Sequence, residues 1–231
     1  MHIGLIGGIG AAATVVYYQR LCAEMARRGA TLELTIVQAD IQTLIHNANN
    51  GRAREQAEVY ARLIERLKAA GCDFAAITSI GGHFCFPETV ELSALPLVSA
   101  VAPLDDFFAA EGLAAVGLLG TRVMMRSRLF GLLRRTRPVV LDDARIDPLG
   151  QVYQDVAVAG ACSEDARQVF FEAGRDMVAR GAEAVVLAGT DLNLAFDGHD
   201  PGYRVIDALD VHVALLADLA SDRVALAEVS S

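Results

Sequence analysis

Ser79 and His83 lie four residues apart just after an apolar run. An imidazole at that distance can take the proton of a serine hydroxyl and turn it into a proton relay; a histidine bonded only to backbone is the alternative reading. Farther along, Gly189 is followed by Thr190 and Asp191. A threonine hydroxyl with its backbone N–H suits a carboxylate, and the aspartate suits either a substrate amine or the cap of a short helix. Thr14 and Thr121 open two further helical stretches and offer hydroxyls of the same kind. These groups fit a small anion, a carboxylate or a phosphate, held where small residues expose the N–H groups of a helix start.

Five loops share that design: Gly7 to Thr14, Asp40 to Gly51, Ser79 to His83, Gly120 to Arg122 and Gly189 to Asp191. The first also reads as a dinucleotide fingerprint, GxGxxA from Gly8 to Ala13. Asp40 would then be the ribose ligand, 30 residues beyond Gly10 where about 20 is usual, so NAD(P) binding is kept as a weaker alternative. His46, Asn47, Asn49 and Asn50 form a polar stretch expected to be a loop able to close over a site, and Arg122 and Arg126 bring positive charge. Asp197, His199 and Asp200 lack the partner motif of a metal centre and read as a solvated turn, so no metal is expected. Cys85, between Phe84 and Phe86, reads as a buried core thiol.

The elements that must position these residues alternate between strand and helix, the pattern of a parallel α/β sheet. Segments 2–6, 32–39, 74–79, 97–101, 114–119, 138–141, 184–188 and 204–206 are short and rich in Val, Ile and Leu, as strands covered on both faces are. Segments 52–70 and 164–180 carry apolar residues at helical spacing, with Gly71 and Gly181 as stops and Ser163 as a cap. The two helix-to-strand units ending at Ser79 and Gly189 are copies 110 residues apart, and Ile3–Gly8 repeats as Val116–Thr121 at an offset of 113. The expectation is two pseudo-symmetric Rossmann-like domains, 1–98 with 207–231 and 99–206, with a ligand site in the crevice at the carboxyl ends of their strands.

Composition sets the bounds. The 231 residues are 53% hydrophobic and 21% charged with no Trp, enough for a buried core. A net charge of −9 argues against nucleic acid and anionic membrane as partners, because both demand a basic face. The opening apolar stretch is broken by glycines and meets no Lys or Arg before Arg20, so neither a signal peptide nor a membrane span is expected and a cytoplasmic location is. Four cysteines without CxxC spacing are expected as free thiols.

Gly4–Gly8 followed by Thr14, Tyr17 and Tyr18, then Val116–Thr121, Thr190-Asp191, and Ile206-Asp207 with His212, resemble the cofactor-independent aspartate/glutamate racemase superfamily, over nearly the whole chain and in order. The resemblance implies two pseudo-symmetric α/β domains with the active site between them, a homodimer, and a small carboxylate or amino-acid substrate. It also implies chemistry at the α-carbon without a cofactor, in which one cysteine removes a proton and a second delivers one to the opposite face. Those cysteines fall in a Cys-Asn-Thr and a Gly-Cys-Thr-Glu motif, which align here with Ser79-Ile80-Gly81 and Ala188-Gly189-Thr190-Asp191. Ser79 and Gly189 thus stand at the two thiol positions, His83 at a position where the family often has histidine, and Ile9, Thr14, Ile80, Gly81, Thr121, Thr190 and Asp191 at substrate-binding ones. Two-cysteine racemisation is expected to be lost, and a catalytically silent or regulatory carboxylate-binding paralogue is the second reading.

Overall fold

The computed structural model describes residues 1–8 and 10–229. The first stretch of chain runs β1 (His2–Gly7), α1 (Ala11–Arg27), β2 (Glu33–Gln38), α2 (Ile41–Asn49), α3 (Ala53–Ala69), β3 (Phe74–Ile77), a 3-10 turn (Gly81–Cys85), α4 (Phe86–Leu92) and β4 (Leu97–Val98). The second runs α5 (Leu104–Ala110), β5 (Ala115–Gly120), α6 (Arg122–Ser127), a 3-10 turn (Leu129–Gly131), β6 (Arg137–Val139), α7 (Asp143–Ala159), α8 (Glu164–Ala179), β7 (Ala184–Ala188), a 3-10 turn (Thr190–Leu192), α9 (Asn193–Phe196) and β8 (Val205–Asp207). α10 (Ala208–Ala220) and α11 (Leu226–Val229) close the described chain. It forms two compact units, Met1–Ala100 with the chain from Leu209 onward, and Val101–Ala208.

Each unit holds a four-stranded parallel sheet, in the order β2-β1-β3-β4 in one and β6-β5-β7-β8 in the other. The orders are identical once four is added to each strand number, so the sequence repeat is a repeat of topology. Parallel neighbours need crossovers, and the amphipathic helices supply them. The core of the first unit gathers Ile3, Leu5, Phe74, Ala76 and Val98 from the strands with Tyr17, Leu21 and Met25 from α1 and Leu209, Val213 and Leu216 from α10. Full burial of such a side chain stabilises by about 1.5–3 kcal/mol. In the second unit the same role falls to Val116, Leu118, Val185, Val186 and Leu187, with Phe170 and Met177 of α8.

One glycine in each central strand sets the helix-to-sheet distance. A Cβ on Gly4 would lie 2.9 Å from Leu67 of α3, and one on Gly117 2.9 Å from Met177 of α8. At Gly117 the atom in the way is the Met177 Cβ itself, so α8 seats close because that position lacks a side chain; at Gly4 it is the terminal methyl of Leu67, with the Phe74 carbonyl oxygen next at 3.1 Å. Both helices stop as expected: Gly71 and Gly181 take φ of +88° and +92°, and Ser163 Oγ caps α8 by accepting the Ala166 N–H at 3.2 Å.

The structure corrects three local expectations. The segment around His46 and Asn47 is helix α2 and not a loop, because Asp40 caps it by accepting the Thr43 N–H at 2.7 Å and Leu44 and Asn47 are buried. β3 ends at Ile77, two residues before Ser79, where pairing with β1 stops at Ile6↔Ile77. β2 is an edge strand, so it is half-open along its length and Ile36 is exposed. Among the described residues no helix is long and apolar enough to cross a membrane.

Candidate active-site tips of β3 and β7

Beyond β3 the chain carries Thr78 and Ser79 into a 3-10 turn that opens at Ile80. Thr78 donates its hydroxyl proton to the Ile6 carbonyl at 3.1 Å. The Thr14 hydroxyl, 2.9 Å from the Thr78 oxygen, must therefore be the donor in that pair. This ties the first turns of α1 to the strand tip. Ser79 is buried, and its Oγ accepts the Gly82 N–H at 3.2 Å. It lies so close to Gly8 that a Cβ there would fall 2.2 Å from the serine Cβ. Ile80 and Gly81 are buried beside it. Ile9 lies outside the described residues.

His83 has both ring nitrogens committed to backbone. Nδ1 lies 2.8 Å from the Ser79 carbonyl and Nε2 lies 3.0 Å from the Ala100 N–H. A carbonyl only accepts and an N–H only donates, so the ring is the neutral tautomer with its proton on Nδ1. Burial pushes its pKa down to about 4, against the Ser79 carbonyl bond that favours the charged form. The ring also stacks on Phe86, with centroids 5.0 Å apart. In this geometry His83 holds the Ser79 main chain and has no nitrogen left for the Ser79 hydroxyl. Its neighbour Cys85 is fully buried, and desolvation pushes that thiol up to about 12 even though the Thr89 hydroxyl pulls the other way. A thiol so placed is an inert core group. His212 is buried in the same unit, 2.8 Å from the Tyr17 hydroxyl, and burial with the nearby His83 lowers its pKa to about 3.

The β7 tip is built from different groups. Gly189 follows Ala188 directly, and Thr190 and Asp191 begin the 3-10 turn, both buried. Tyr153 comes down from α7 and donates its phenol to Asp191 Oδ2 at 3.1 Å. Burial raises the Tyr153 pKa well above its ordinary value, and the Asp191 carboxylate adds to the rise. The pair is a buried carboxylate with a proton held beside it, the elements of acid–base chemistry.

Thr121 caps α6 by accepting the Met124 N–H at 3.3 Å, one residue beyond the Gly120↔Ala188 pairing. Arg122 bonds Gln151 and Gln154 of α7, and Arg126 pairs with Asp147. Both arginines therefore dock α6 on α7. Asp40 is spent as the α2 cap. Among the described residues no three of His, Cys, Asp and Glu gather as a metal site.

The structure thus brings Ser79, Ile80, Gly81, His83 and Thr14 to one tip, and Gly189, Thr190 and Asp191 to the other, with Thr121 just past the end of the neighbouring strand β5. Sequence reasoning missed Tyr153. It lies 36 residues before Gly189 in an amphipathic helix, and no local motif marks a tyrosine that reaches across to a strand tip.

This duplicated fold, with small residues and hydroxyls at its strand tips, can be compared with known proteins. The sequence pattern of the Asp/Glu/hydantoin racemase family matches residues 6–216. The chain belongs to that family. Its members are racemases, a class of isomerase. No curated protein sequence matches the chain. Among solved structures, this family member is similar to an aspartate racemase homologue from Pyrococcus horikoshii, with 22% identity, 95% of this chain and 99% of that one covered and a TM-score of 0.75. It is also similar to the aspartate racemase of Picrophilus torridus, at 18% identity over 96% of this chain and 95% of that one with a TM-score of 0.76. Glutamate racemase from Francisella tularensis, solved with D-glutamate, shares 14% identity over 96% and 81% with a TM-score of 0.68. At these identities the likeness establishes the fold.

Proposed function

We propose that this racemase-family protein binds a small acidic amino acid or related carboxylate and acts at its α-carbon without a cofactor and without the family's pair of thiols. The observation that carries the reading is the β7 tip, where the buried Tyr153–Asp191 pair lies beside Gly189. Removing an α-proton needs a base, and Asp191 can supply one through the phenol: the Cα–H bond breaks as its proton passes to the phenol oxygen, and the phenol proton passes to the carboxylate. Returning a proton by the same route restores the original face. One base on one face therefore gives exchange without inversion.

Incubation of L- and D-aspartate and L- and D-glutamate in deuterated buffer, followed by NMR and chiral chromatography, tests this. Deuterium incorporation at Cα that outpaces inversion is expected; rapid inversion of either pair would sink the reading. The second reading, a silent carboxylate-binding paralogue, is favoured by the backbone-locked His83. It predicts thermal stabilisation by these ligands with no exchange at all. A cytosolic homodimer belongs to the proposal, and light scattering at twice the chain mass checks the second part of it.

A further inference from the structure

Gly189 is at φ −148° and ψ 116°, extended backbone that any L-residue adopts. Its lack of a side chain is therefore not a demand of the main chain. The demand comes from Tyr153. A Cβ built on Gly189 would lie 2.5 Å from Tyr153 Cε2, 2.8 Å from Cζ and 3.0 Å from the phenol oxygen. The ring edge fills the volume into which a residue-189 side chain would grow. It cannot swing away cheaply, because it is buried and its hydroxyl is anchored on Asp191.

From this geometry we infer that Tyr153 is the specificity-determining residue of the β7 tip: its ring excludes every side chain from position 189, and its hydroxyl replaces such a side chain as the group presented there. Gly189 and Tyr153 are one coupled unit. A thiol can enter at 189 only if residue 153 is shortened first, so the tip is committed to a phenol held by a carboxylate. The steric half stands on interatomic distances alone; the ligand-facing half rests on the proposed function and takes the same small carboxylates.

The test is Gly189→Ala made in three backgrounds and followed by thermal unfolding. With Tyr153 present, the added methyl is overpacked, and Tm is expected to fall by about 5 °C. In Tyr153→Phe, which keeps the ring, the fall persists. In Tyr153→Ala the space is open, and Gly189→Ala is neutral or raises Tm by about 1–2 °C through the stiffer unfolded chain. This non-additivity is the signature of a contacting pair. An unchanged Tm in the Tyr153 background, or an equal fall in all three, overturns the inference. If Tyr153→Ala with Gly189→Ala does not fold, Tyr153→Leu provides the open background.

The ligand-facing half is read separately, from the thermal shift that millimolar L- or D-aspartate gives the parent and Tyr153→Phe. Loss of the shift in Tyr153→Phe supports it, and an unchanged shift overturns it. No shift in the parent, with the coupling intact, counts against the proposed function and leaves the steric inference standing.

Discussion

The tips of β3 and β7 follow equivalent strands in sheets of equivalent order, yet they are held by opposite means. At the β3 tip a histidine grips backbone at two points, and the buried Ser79 hydroxyl is bonded to a neighbouring main-chain N–H. At the β7 tip a bare glycine follows the strand and the polar groups are side chains, Tyr153 on Asp191. A duplicated fold preserves the frame, because the frame depends on apolar periodicity and glycine stops that many sequences satisfy. The tips depend on a handful of atoms, so they diverge freely. One tip is anchored through backbone, while the other carries a phenol bonded to a buried carboxylate.

The largest test of that contrast is acid. His83 and His212, both in the first unit, have folded pKa values near 4 and 3, below the unfolded value of 6.5. The unfolded chain therefore takes up protons first as pH falls, so stability is full above pH 6.5 and drains away toward pH 4 and below. Each tenfold difference in proton affinity between the folded and unfolded chain is worth about 1.4 kcal/mol, and the combined loss by pH 4 is on the order of 5 kcal/mol. Urea unfolding between pH 7.5 and 4 measures it, and a flat profile would show that the two histidines are not buried neutral anchors.

A smaller effect separates anchor from catalyst. His83→Ala strands the Ala100 N–H in the interior and takes one of two donors from the Ser79 carbonyl, which keeps the Gly82 N–H at 3.1 Å. With an unpaired buried group costing about 1–3 kcal/mol and a cavity besides, a loss of about 4 kcal/mol is expected. His83→Gln, which can again donate and accept, should recover part of it. A catalytic histidine would instead lose turnover with little change in the urea midpoint.

The smallest expected effect lies at the other tip. Tyr153→Phe removes one hydroxyl bond to a carboxylate, worth about 2 kcal/mol, and leaves the ring in place. Calorimetry should show a fall of a few degrees, while Cα exchange drops far more than stability does. Equal falls in both would make β7 an anchor like β3 and erase the contrast.

Much of the frame was legible from residues alone. The strand cores around Leu5, Val98, Leu118 and Val186, the cap at Ser163 and the stops at Gly71 and Gly181 are local patterns, readable because period and capping are set by neighbours in sequence. The polar run at His46 and Asn47 misled, since polar composition suggested a loop where the Asp40 cap and the buried Leu44 and Asn47 make a helix. That Ser79, His83, Thr190 and Asp191 lie at the ends of apolar strands was visible, but their bonding was not. Whether an imidazole meets a serine hydroxyl or a backbone carbonyl turns on ångström-scale geometry that spacing along a chain does not encode.

A duplicated parallel α/β chain of the racemase kind, with no cysteine at Ser79 or Gly189, follows from the amino-acid string, because repeats, periodicities and residue types are properties of the string. That His83 is bonded to backbone at both ring nitrogens and that the Tyr153 ring occupies the space beside Gly189 follow only from the folded chain. Those outcomes come from burial and from contacts between segments far apart in sequence. Hydrogen-bond partners and excluded volume exist only once the helices have settled on their sheets.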